Sequence, residues 1–83
     1  MDYTPKIPKK DLVHGVYYHG RCRNANEARW NADQQKFVHW REKFGRKFLE
    51  EICHPEDEEH FDVFVVEKEC ENPKEEIPFD LVT

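Results

Sequence analysis

The bulky apolar residues of this chain cluster between about Leu12 and Val66, which confines any core to roughly 55 of its 83 residues. A chain this short forms one domain and buries only a modest fraction of its surface. Two tryptophans, three tyrosines and six phenylalanines supply the anchors such a core needs. The expected organisation is an arm over 1–10 carrying Pro5, Pro8, Lys6, Lys9 and Lys10, a single domain over 11–68, and an acidic tail over 69–83. Ile77, Phe79, Leu81 and Val82 would let part of that tail dock as a short extended segment.

Within the domain, Leu12 to Cys22 favours a strand through Val13, Val16, Tyr17 and Tyr18. Asn24-Ala25-Asn26 reads as a turn and Glu27 to Trp30 as a second extended segment. After the polar connection Asn31–Gln35, two periods compete. Phe37, His39 and Arg41 alternate with Val38, Trp40 and Glu42 as in a strand, whereas Phe37, Trp40, Phe44, Phe48 and Ile52 recur at helical steps. The reading adopted is a hairpin of roughly 27–31 and 36–42, then a short helix over roughly 45–53 that stops before His54-Pro55. Phe61 to Val66 is the strongest strand pattern. The expected fold class is therefore α+β: a small antiparallel sheet of three to four strands with one short helix packed on it, with an SH3-like partial barrel as the alternative.

The net charge of −5 conceals a dipole. Residues 1–19 carry +1, residues 20–47 carry +5 and residues 48–83 carry −11. The positive segment interleaves cations with aromatics, and arginines grip phosphates while aromatic rings stack on bases. Arg21, Arg23, Arg29, Arg41 and Lys43 are thus candidate nucleic-acid contacts that would share one surface of the hairpin. The competing account makes Trp30 and Trp40 core and pairs the arginines with the acids of the second half, whose charge opposes DNA. The acidic half offers a docking surface for a basic protein partner, centred on Glu56, Asp57, Glu58 and Glu59.

Other chemistries find little support. The chain has no serine, which excludes a serine triad, and its three glycines form no phosphate-cradling loop. Cys53 and His54 are adjacent in sequence, which does not bring their side chains together. His14, His19, His39, His54, His60 and Cys22 lack the close paired spacings of zinc sites, and the 54–60 loop lacks the EF-hand glycine. No metal, cofactor or catalytic residue is expected. Three widely spaced cysteines, Cys22, Cys53 and Cys70, read as reduced thiols. With no apolar run near 18 residues and no apolar stretch at Met1–Pro5, the expected location is the cytoplasm.

The string Gly15–Ala25, with Ala28-Arg29-Trp30, His39-Trp40-Arg41, Phe44-Gly45 and Asp62-Val63-Phe64, resembles small uncharacterised proteins of bacteria and their phages over residues 11–66. That resemblance implies an origin and adds no mechanism. The leading expectation is a non-enzymatic binding module acting through a protein partner. The alternative is a nucleic-acid binder using the segment 20–47. Exposed sheet edges leave both monomer and homodimer open.

Overall fold

The computed structural model describes residues 6–22, 26–57 and 63–79. Five strands form one antiparallel sheet: β1 (Tyr17–Arg21), β2 (Glu27–Asn31), β3 (Lys36–Lys43), β4 (Arg46–Ile52) and β5 (Val65–Glu69), in the spatial order β4-β3-β2-β1-β5. The fold is all-β, which corrects the α+β expectation. The sole helical element among the described residues is a 3₁₀ turn at Lys9–Asp11.

The 45–53 helix is β4 instead. Phe44 and Gly45 both have positive φ, 55° and 75°, so they close a two-residue turn of the kind whose twist matches a right-handed hairpin. With that turn made, every step from Lys43↔Arg46 to Phe37↔Ile52 pairs in register. The β3 ladder satisfies the β4 backbone, and the helical spacing of the aromatics has no consequence. The 27–31/36–42 hairpin forms as expected. Asn31 Oδ1 accepts the N–H groups of Asp33 and Gln34, at 3.0 and 3.3 Å, and Gln35 takes φ of 56° to re-enter the ladder. The first strand is shorter than its pattern, because Val16 N–H turns back to Val13 O at 3.2 Å before Tyr17. Phe61 and Asp62 lie outside the described residues, and the last strand starts at Val65.

Beyond the end of β4, Cys53 forms a parallel bridge with Val63, and Phe64 N–H donates to Cys53 O at 2.8 Å. This links the two ends of the sheet and wraps it around one core of Tyr18, Ala28, Trp30, Phe37, Ile52, Phe64 and Val66. Phe37 is its centre, with ring centroids 4.8 Å from both Trp30 and Phe64. Ile7 and Leu12 pack against the same cluster. His54 Nε2–H donates to Ile7 O at 3.0 Å while its Nδ1 accepts Glu56 N–H at 3.1 Å, so a fully buried imidazole is satisfied at both nitrogens.

The opposite face carries Tyr17, Arg29, Val38 and Trp40, by the register of β1, β2 and β3. Residues 71–79 lie across it. Ile77 is buried; its N–H donates to Tyr17 Oη at 2.8 Å, and its carbonyl accepts Arg29 Nη1 at 2.7 Å. Trp40 Nε1–H donates to Glu76 O at 2.9 Å. Ile77 and the Phe79 ring thus act as a second, thinner layer.

Two buried thiols give the fold a pH dependence. Burial pushes the Cys53 thiol above the ordinary value of 9.0; burial and then the Glu27 carboxylate do the same for Cys70. An acid held protonated by folding stabilises the native state below its unfolded value, and that contribution is lost as pH rises above it. The urea midpoint is expected to fall between pH 8 and pH 10, and to fall less in a Cys53→Ala, Cys70→Ala double variant. Parallel titrations of the two proteins check this.

Candidate nucleic-acid interface

Strand parity decides which cations share a surface. Arg29 pairs with Val38, and Trp30 with Phe37. Arg29 therefore lies on the face covered by residues 71–79, whereas Arg41, two residues from His39 and four from Phe37, lies on the core side. The two arginines point to opposite faces, so the single surface expected for the basic set does not form. Arg29 is packed: it donates from Nε to Gly15 O at 2.9 Å and lies 4.3 Å from the Phe79 ring centroid and 5.3 Å from that of Tyr17. Arg21, at the far end of β1, is exposed and pairs with Glu67 at 3.4 Å. Arg23 lies outside the described residues.

The acidic candidates divide similarly. Glu56 accepts Lys9 N–H at 2.7 Å, and Asp57 pairs with Lys9 Nζ at 2.8 Å. Both carboxylates are engaged in fixing the N-terminal segment to the 54–57 turn. Glu58 and Glu59 lie outside the described residues.

What the structure does assemble is the far half of the β3–β4 ribbon. Cross-strand partners share a face, so Phe37 and Ile52, His39 and Glu50, Arg41 and Phe48, and Lys43 and Arg46 form successive rungs on the core side. The sequence of rungs runs from core, through a buried histidine, to solvent. Glu50 receives Arg41 Nη1 at 3.0 Å and lies 3.6 Å from Nε2 of buried His39, a nitrogen with no hydrogen-bond partner among the described residues. Past that pair, Arg41, Lys43, Arg46 and the half-exposed Phe48 form a basic, aromatic strip. Lys43 and Arg46 have no carboxylate partner among the described residues. Lys47, on the other side of the ribbon, pairs with Glu75 and lies 5.6 Å from the Trp40 ring centroid.

Phe44 caps the ribbon. Its side chain is 92% exposed, with Lys43 Nζ 5.5 Å from its ring centroid. A bulky residue at positive φ is a backbone outlier, with a cost of about 1–3 kcal/mol. Asparagine or glycine would close this turn without that cost. Here a strained position holds an exposed aromatic ring whose partner among the described residues is its neighbouring lysine.

Phe44 and Arg46 fall within the basic-aromatic segment 20–47 without being named contacts, and Phe48 lies beyond it because residues 45–53 read as a helix. The usable signal was Lys43-Phe44-Gly45-Arg46, a glycine at the second place of a two-residue turn flanked by cations. Three side chains able to hold a metal also converge elsewhere: His19, Glu27 and Cys70. Among the described residues, no helix is long and apolar enough to cross a membrane. No family model, curated protein or solved structure matches this chain.

Proposed function

We propose that the protein is a non-enzymatic module that binds single-stranded nucleic acid along the β3–β4 ribbon. Lys43 and Arg46 take phosphates, Arg41 joins them by exchanging Glu50 for a phosphate, and Phe44 and Phe48 stack on unpaired bases. The observation that carries this reading is the strained, almost fully exposed Phe44 ring at the tip of a cation-rich ribbon. Base–aromatic stacking suits single strands, because a duplex hides the base faces. The acidic half opposes the reading less than its charge suggests: Asp57 is paired with Lys9, Glu67 with Arg21 and Glu75 with Lys47. A protein partner captured through Glu56–Glu59 gains less support, since Glu56 and Asp57 already hold Lys9. Buried, unbridged thiols at Cys53 and Cys70 fit work in the reducing cytoplasm.

Fluorescence anisotropy with labelled single-stranded DNA, single-stranded RNA and duplex DNA of equal length tests the proposal at two salt concentrations. Three phosphate contacts to a single strand give a slope of about −2 in log affinity against log salt, or roughly 16-fold weaker binding for a fourfold rise in salt. Phe44→Asn is the decisive variant. It creates an Asn-Gly turn and is expected to stabilise the fold by about 1 kcal/mol through relief of strain. It is also expected to weaken single-strand binding by roughly 5- to 150-fold, the loss of one stacked base. A Phe44→Asn protein that is more stable and binds equally well removes the basis of the proposal. Absence of binding at low salt overturns it and leaves the ribbon to an acidic protein surface.

A further inference from the structure

Three side chains that are far apart in sequence meet on the sheet face opposite the core. His19 on β1 stands directly across from Glu27 on β2. Cys70 follows β5 and donates its N–H to Tyr17 O at 2.8 Å, which places it one diagonal step from His19 on the same face. One imidazole nitrogen, one carboxylate oxygen and the Cys70 sulfur all lie within 4.8 Å of one another. Cys70 is buried, and His19 and Glu27 are half-buried.

We propose that His19, Glu27 and Cys70 form a three-ligand site for a zinc ion. The donor set is one that zinc accepts: a thiolate, an imidazole and a carboxylate. Tetrahedral zinc, with bonds near 2.0–2.3 Å, holds its ligand atoms about 3.5 Å apart. The observed separations close to that spacing with a contraction of at most about 1.3 Å, within the reach of rotating side chains. The surrounding hydrogen bonds orient the ligands. Lys74 N–H donates to Glu27 Oε2 at 3.1 Å, and Asn72 N–H donates to the Cys70 sulfur. Backbone donors of this kind fix ligand geometry around metal sites. The Cys70 thiol hydrogen-bonds to the Glu27 carboxylate.

An ion between these groups replaces that shared proton. The Cys70 S–H bond breaks, the sulfur electron pair goes to zinc, and the proton passes to solvent. Uptake therefore releases a proton and strengthens as pH rises. Three protein ligands leave a fourth position for water or an exchangeable ligand. His19 also lines an open cleft of about 490 Å³ shared with Lys6, Gly20, Asn26, Glu67 and Lys68, which provides an entry path from solvent. This site is separate from the ribbon tip, and either proposal can fail without the other.

Cobalt(II) titration of the reduced full-length protein tests the site, because a thiolate ligand gives a charge-transfer band and tetrahedral geometry gives intense visible bands. The expected result is one cobalt per chain, displaced by one zinc, with a rise in the unfolding midpoint. Cys70→Ser is expected to lose the charge-transfer band and at least about 100-fold in zinc affinity, a larger loss than outer-shell changes cause. His19→Gln, at a half-buried position where folding is preserved, is expected to weaken zinc binding comparably. A Cys22→Ser, Cys53→Ser double variant is expected to bind as the parent does. Failure to bind one cobalt, a charge-transfer band that survives Cys70→Ser or vanishes in the double variant, or an unchanged zinc affinity in His19→Gln, overturns the assignment.

Discussion

Replacing Gly20 by alanine is expected to destabilise the protein by about 3 kcal/mol or more, the upper end of overpacking costs. An added Cβ would lie 2.5 Å from Val65 O and 2.7 Å from the Phe64 ring. The first contact is with backbone, which cannot rotate away. Gly20 sits at the irregularity in the β1–β5 register, between His19 and Gly20, and lets β5 approach closely enough for Phe64 to reach the core. A domain of 83 residues has roughly 4–12 kcal/mol of stability in total. A loss of this size lowers the thermal midpoint by roughly 12–24 °C. The double variant Gly20→Ala, Phe64→Leu relieves the ring contact and leaves the carbonyl contact, so it recovers the midpoint only in part. An unchanged midpoint in the single variant would show that β5 is not held against β1 in this way.

Arg29→Ala carries the second large effect. The guanidinium joins two carbonyls from opposite ends of the chain, Gly15 O and Ile77 O, and lies against the rings of Phe79 and Tyr17. Its removal leaves two part-buried acceptors without their donor, at about 1–3 kcal/mol each, and takes away the packing of the arginine stem. A total loss of about 3 kcal/mol is expected, concentrated in residues 71–79. Hydrogen exchange at the Ile77 amide, which donates to Tyr17 Oη, should accelerate far more than exchange in β3. Lysine is not expected to rescue, because one ammonium cannot reproduce the planar fork that spans both carbonyls. Uniform acceleration across the sheet would argue instead that Arg29 supports the whole fold.

The β2–β3 hairpin was legible because its alternation and its Asn31-led turn agree. β4 was not, because the Phe44-Gly45 turn lacks the usual asparagine and the ribbon aromatics happen to fall at helical intervals. The single surface expected for Arg29 and Arg41 does not form. Placing Arg29 and Arg41 on opposite faces depends on register across β2 and β3, which no local pattern states. The His19–Glu27–Cys70 cluster lay beyond sequence reading for a related reason. Its members become neighbours only once β1 has paired with both β2 and β5.

The Cys53–Val63 bridge bears on how the molecule behaves in a crowded solution. A sheet of five strands normally presents two open rows of backbone groups, each a template for another chain. Here the bridge joins the two margins at one end, and Lys6 N–H donates to Val66 O at 3.0 Å along β5. Among the described residues, no strand pairs with the outer edge of β4, which bears Arg46, Lys47, Glu50 and Glu51, or with the outer edge at the end of β5, which bears Glu67, Lys68 and Glu69. Any strand added there would have to bring together dense charge of both signs in fixed register. The molecule is thereby guarded against fibrillar stacking at the places where its hydrogen bonding is incomplete, and its exposed ring at Phe44 stands on a turn, where no strand can be added.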